Sequence, residues 1–221
     1  MLEELNCKTV FTIPIFGGLD ISESTVITWF IIAFVAVLCI VLVRNLSVES
    51  PSKKQQVLEL AVGGLYNLFD GLLGKAGKRY IPYLMSILIY LGISNVIGIL
   101  GIKPPTKDMN VTAALALMSI ILIEYAGIHA KGGRGFIKSF AQPMAIMTPI
   151  NILEIFIRPL SLCMRLFGNI LGGFVVMELI KYFVPAIIPI PFSFYFDIFD
   201  GLIQAYVFVF LTSLFIKESI E

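Results

Sequence analysis

From Ser24 to Val43 the chain runs for twenty residues without a charge. About 20 apolar residues are what an α-helix needs to cross the ~30 Å hydrocarbon core of a bilayer. In that medium every backbone polar group must be satisfied within the segment, so a lone run of this kind has to be helical. Composition agrees with a membrane solvent. Hydrophobic residues make up 58% of the 221 and charged residues only 14%, against about 45–50% and about 25% in soluble domains. The net charge of +1 suggests no nucleic-acid partner. The first apolar run starts late and follows acidic, not basic, residues, so it reads as a true span rather than a cleaved signal. Cys7, Cys39 and Cys163 are odd in number and far apart, without metal-ligand spacing, and read as small packing residues.

The remaining pattern predicts an all-α integral membrane protein in one domain, with about five crossings. The first span covers residues 24–43, with Trp29 as an interface anchor. Residues 50–74 alternate differently: Val57, Ala61, Leu65, Leu68 and Leu72 recur at helical spacing, while Lys53, Gln56, Glu59, Asn67 and Asp70 fall largely on the other side. That is an amphipathic helix lying on the membrane surface, or one packed on the chain's own bundle. Ser50 reads as its N-cap and Pro51 as its first helical residue. Further spans cover 81–101 and 111–129, the latter interrupted by Glu124, which lies at the far interface or faces the bundle. "AKGGRGF" breaks the run. A long apolar stretch, 143–181, carries Pro143, Pro149 and Pro159, and after "VPAIIPIP" the last helix covers 194–217.

Loop charges set the orientation. Arg44, Lys53, Lys54, Lys75, Lys78 and Arg79 follow the first span, Lys131, Arg134 and Lys138 follow the third, and Lys217 ends the last. The opposite side carries only Lys8, Lys103, Lys107 and Lys181. The positive-inside rule then predicts an outer N-terminus and a cytoplasmic C-terminus in a plasma membrane of bacterial type.

Within "RPLSLCMRLFGNILGG" stands Arg165, with no acidic residue within ten positions on either side. A guanidinium keeps its proton, and in mid-bilayer it costs roughly 2.5–3.5 kcal/mol on insertion scales. Asn151, Arg158, Arg165 and Asn169 share roughly one helix face, with Ser161, Gly168 and Gly172 alongside. Small residues there let another helix come close. Glu154 and Arg158 are placed to neutralise each other at i,i+4. On the last helix Asp197, Asp200 or Gly201, and Gln204 make a second polar stripe, read as a hydrated path or as an outer helix start followed by one amide. Arg165 by itself also fits a lipid-phosphate anchor or an internal ion pair. His129 sits at a loop edge and is a poor relay residue.

"SLCMRLFGNILGG" resembles the signature of subunit a of the F-type ATP synthases. "LGISNVIGILG", "PPTKDMNVTAALAL", "KGGRGF" and "GLIQAYVFVFLTSLFI" are similar to other parts of that family, so the likeness spans roughly Pro51 to Ile216. The resemblance implies a non-catalytic, cofactor-free stator beside a rotating ring of c subunits, with peripheral-stalk subunit b and membrane lipid as further partners. It implies that the Arg- and Gln-bearing helices form a tilted hairpin facing the ring, and that H⁺ or Na⁺ is the translocated ion. The family's essential arginine maps to Arg165, its motif asparagine to Asn169 and its last-helix glutamine to Gln204. Where many members carry Glu or His after the motif's glycines this chain has Phe174, with Glu178 one turn on. Where some carry His or Glu seven residues before the glutamine it has Asp197. The resemblance thus implies an outer half-channel using Glu178, Asp197 and Asp200, and an inner one near Asn151, Glu154 and Ser161. The competing reading is a self-contained secondary transporter or channel with a substrate-binding arginine.

Overall fold

The computed structural model describes residues 9–13, 19–44, 46–47, 51–139, 148–183 and 189–220. Its body is helical. Among the described residues five helices are long and apolar enough to cross a membrane. The sequence reading missed one small feature ahead of them. Strands β1 (Thr9–Ile13) and β2 (Leu19–Ser22) pair antiparallel, with Ile13 opposite Leu19 and Thr9 opposite Ser22. Such short strands give too little alternation to register as a period-2 signal.

Ser22 ends β2 and caps the next element, its Oγ accepting from the Thr25 amide at 3.4 Å. Helix α1 (Glu23–Val43) then runs for 21 residues, about 32 Å at 1.5 Å per residue. Ile31 is its only buried residue among those described, so the rest of the chain leaves most of its surface uncovered. Helix α2 (Lys53–Gly77) is capped by Ser52, whose Oγ accepts from the Gln55 amide at 3.3 Å. The cap is thus two residues later than the expected Ser50, and Pro51 stands ahead of it rather than inside the helix. Most of α2 is exposed, but Phe69 and Leu73 enter the core.

Gly74 at φ 65° breaks the helical path, and a short turn (Lys78–Tyr80) leads into α3 (Ile81–Val96). Gly101, at φ 75°, supplies the left-handed residue that ends the following turn. Helix α4 (Met109–Ser139) is kinked at Gly132, φ 72°. The break expected at "AKGGRGF" falls at Gly132, whose backbone is not helical, and a second helical piece runs on to Ser139. Helix α5 (Thr148–Phe183) contains Pro159; the expected start at residue 143 lies outside the described residues. A short helix α6 (Pro189–Ser193), a π-helical segment (Phe194–Asp200) and α7 (Gly201–Ile220) form one last helical stretch.

Helix α7 packs against α2, α3, α4 and α5. Its Ala205, Phe208, Val209 and Ile216 meet Phe69, Leu84, Leu91, Ile123 and Leu166 in the core. In lipid the apolar effect does not drive helices together; close packing and hydrogen bonds do. Both occur at Asn95. Its Nδ2 donates to the Gly201 carbonyl at 2.8 Å, and its Oδ1 accepts from Thr106 Oγ1 at 2.8 Å. A Cβ on Gly201 would sit 3.0 Å from that of Asn95, so glycine is what lets α7 approach α3 here. One amide thereby ties α3, the Pro105–Lys107 turn and α7 into a unit.

Candidate functional site

Arg165 stands 17 residues after Thr148 and 18 before Phe183, halfway along α5. Leu162, Cys163 and Leu166 turn inward to the core, while Ser161, Met164, Arg165, Gly168 and Asn169 are exposed on the outer face. Among the described residues the Arg165 guanidinium makes no hydrogen bond or ion pair. A Cβ added at Gly168 or Gly172 would meet nothing within 4 Å. The surface beside the cation is bare, as the spacing of the small residues predicts.

One turn further along, Asn169 Nδ2 donates to Gln204 Oε1 at 2.7 Å, across from α5 to α7. Gln204 is 3% exposed, and its Nε2 is buried without a partner. A buried donor left unsatisfied costs about 1–3 kcal/mol. The site therefore presents a guanidinium and an amide N–H₂, both donors without acceptors. The guanidinium is exposed and lacks a counter-charge, whereas the amide is buried and lacks only an acceptor.

Two cavities lie toward opposite ends of α5. The first, about 320 Å³, is lined by Asn169, Phe174, Lys107, Lys181, Asp197 and Asp200. Asp197 Oδ2 accepts from Ser193 Oγ at 2.5 Å, and a Cβ on Gly98 would come within 2.9 Å of Asp197 Oδ1. Asp197 and Asp200 belong to the π-helical segment; insertions of this kind recur at functional sites because they re-aim side chains. Glu178 is not in the cavity wall. It accepts from Lys181 Nζ at 3.0 Å, and Lys181 in turn lines the cavity.

Lys107 is the residue the sequence reading placed differently, as one loop charge among several. It is 9% exposed, and its Nζ lies 3.1 Å from the centre of the Phe174 ring, a cation–π contact. No local pattern announces it, because the partners are 67 positions apart.

The second cavity, about 230 Å³, is lined by Glu124, Asn151, Glu154, Arg158, Lys131 and Glu218, among others. Arg158 Nη2 donates to Glu154 Oε2 at 2.7 Å and to Glu218 Oε1 at 2.9 Å. The i,i+4 pair expected from spacing is present, and a third member joins it from α7. Asn151 and Glu154 thus share a cavity. Ser161 lies outside it, exposed on α5 between Arg158 and Arg165. His129, exposed, is 3.3 Å from Arg79 Nη1 and stacks on Tyr125, away from both cavities.

The family model described as ATP synthase A chain matches residues 25–217. A sodium ion specific ATP synthase subunit a from Propionigenium modestum is 34% identical, over 92% of this chain and 75% of its own length. Subunit a of Moorella thermoacetica is 35% identical, over 93% and 94%, and a subunit a of a Bradyrhizobium strain is 35% identical, over 92% and 91%. A match of this extent, on a fold with five membrane-length helices, places the chain in the ATP synthase subunit a family, the non-catalytic ion-translocating membrane subunits of that machine.

Proposed function

We propose that the chain is the stator half of a rotary ion path: two half-channels that load and unload carboxylates on a ring of c subunits turning past Arg165. The observation that carries this is the unpaired, exposed guanidinium on the bare glycine face of α5. Its missing acceptor is a carboxylate on a partner that comes and goes.

An opposite charge within about 4–6 Å favours the ionised carboxylate and lowers its pKa by roughly 1–3 units. A ring site reaching Arg165 is therefore driven to release its ion. A loaded, neutral site gains no such attraction. Arg165 also stands between the cavities as a fixed like charge that a migrating cation has to pass. Asn169 and Gln204 hold α5 to α7 beside it. The cavity with Asp197 and Asp200 is the outer half-channel, with Glu178 acting at its edge through Lys181. The cavity with Asn151 and Glu154 is the inner one, reaching the ring past Ser161. Each charge crossing contributes about 2.3 kcal/mol per 100 mV.

Helix α5 has 36 residues, about 54 Å, far longer than the ~30 Å apolar core. That length supports a strongly tilted hairpin of α5 and α7 against the ring. Basic loop residues support an outer N-terminus, a cytoplasmic C-terminus and α2 on the cytoplasmic surface of the plasma membrane. Subunit b and membrane lipid are the remaining neighbours, with the nearly bare α1 as one surface for them. The sodium specificity in one relative's name leaves both H⁺ and Na⁺ as candidate ions. Synthesis driven by each gradient imposed separately distinguishes them.

Three outcomes are expected. In reconstituted vesicles Arg165→Ala should lower ATP synthesis by roughly 10²-fold or more, the scale of removing one preorganised charge-stabilising group. Arg165→Lys, which lacks the planar fork, should rescue it poorly. An assembled Ala variant working near the wild-type rate sinks the proposal. Gly172→Leu should leave the stability of the purified subunit unchanged or raised by up to about 1 kcal/mol, yet cut synthesis, because only the partner feels the added side chain. Equal synthesis by that variant argues against a ring on this face. Cysteines placed at Gln56 and Tyr182, both exposed, should react with impermeant reagents from opposite sides; labelling from the same side overturns the orientation.

A further inference from the structure

The inner cavity holds three carboxylates, and they are not equivalent. Glu154 and Glu218 both accept from Arg158 Nη2. An arginine stays charged, so these two are already engaged by a fixed cation on α5. Glu124 lines the same cavity from α4. It makes no hydrogen bond or ion pair among the described residues. It is half-buried and lies 15 residues into α4, inside a candidate span. A carboxylate at that depth without a partner is costly unless it serves a path.

The surroundings make the cavity a built compartment rather than a group of acids. Arg158 is held against the Phe215 ring at 5.0 Å, and its side chain is 17% exposed. Ser219 Oγ donates to the Ile123 carbonyl at 3.1 Å, fixing α7 to α4 one residue from Glu124. Among the described side chains, the charged groups facing Glu124 are Arg158 and Glu154 from α5, Glu218 from α7 and Lys131 from α4 itself. Arg158 is seven residues from Arg165, about 10 Å along the axis.

We propose that Glu124 is the ion-accepting carboxylate of the inner half-channel, taking the ion released beside Arg165 and passing it to water at the cavity mouth. The assignment rests on the two-half-channel reading above. For a proton, the carboxylate oxygen gains it from cavity water on the ring side and returns it to water on the cytoplasmic side, with no net change. Glu154 and Glu218 serve instead to hold Arg158 in place. Nothing in the sequence around Glu124 assigns it this role, because its companions come from α5 and α7.

The test uses the intact complex in vesicles, with total driving force held constant while the pH of the release compartment varies. Glu124→Gln should assemble with the ring but slow synthesis by about tenfold, below the roughly 10²–10⁴-fold of a fully committed proton-transfer group, since cavity water offers a bypass. Wild-type synthesis should decline as the release side is acidified through the titration of Glu124, and the Gln variant should lose that limb. Glu124→Asp should restore most of both rate and pH dependence. If the ion is Na⁺, the release-side Na⁺ concentration takes the place of pH. An assembled Gln variant with wild-type rate and unaltered release-side dependence overturns the proposal. So does a slow variant whose pH dependence is unchanged, since that is a structural defect. Arg165→Ala run in parallel separates the two levels. If it is inactive while Glu124→Gln is normal, only the role of Glu124 fails; if it too is active, the half-channel reading fails with it.

Discussion

A guanidinium in the middle of a 36-residue apolar helix needs a counter-charge, and within the described chain Arg165 has none. The contrast with Arg158, two turns away on the same helix, is instructive. Arg158 is clamped between Glu154 and Glu218 and covered by Phe215. One cation is satisfied inside the fold and is structural; the other is left to the outside. The chain holds Arg165 in place instead: Leu162 and Leu166 lock its turn of helix into the core, and Asn169 fastens the next turn to Gln204.

The same constraint orders the rest. If the charge is completed by a carboxylate that arrives, leaves and returns, the face around it has to be smooth, and Gly168 and Gly172 make it so. The carboxylate then needs separate routes by which to gain and lose its ion. Two cavities with carboxylates in their walls lie toward the two ends of α5, one with Asp197 and Asp200, the other with Glu124, Glu154 and Asn151. Phe174 packs under the Lys107 ammonium, and the Asp197 and Asp200 carboxylates of the same cavity come from the π-helical segment. Asn95, by joining α3, the Pro105–Lys107 turn and α7, holds that cavity's wall together.

Much of this was legible in the sequence, for reasons that are local. Helical periodicity and long uncharged runs mark the helices, because in lipid a lone run of that length satisfies its own backbone only as a helix. The stripe of Arg165, Asn169 and the glycines follows from 3.6 residues per turn. Contacts between distant segments were not legible. Lys107 on Phe174, Glu218 on Arg158 and Glu124 in the cavity beside Arg158 each depend on tertiary packing across more than 25 positions. The π-helical segment was missed because one extra residue in a turn leaves no compositional trace. The β1–β2 hairpin was missed because its strands are shorter than the window in which alternation can be seen. Spacing puts Glu178 one turn beyond Phe174 but does not show that it pairs with Lys181, which lines the cavity in its stead.

The claim on which the account stands is that Arg165 keeps the two cavities from acting as one pore. Passive ion flux through the assembled membrane sector, with the catalytic sector removed and the ring blocked from turning, tests it most directly. Wild-type sectors should be tight, and Arg165→Ala sectors should leak the coupling ion down an imposed potential. Blocked Arg165→Ala sectors as tight as wild type would contradict it.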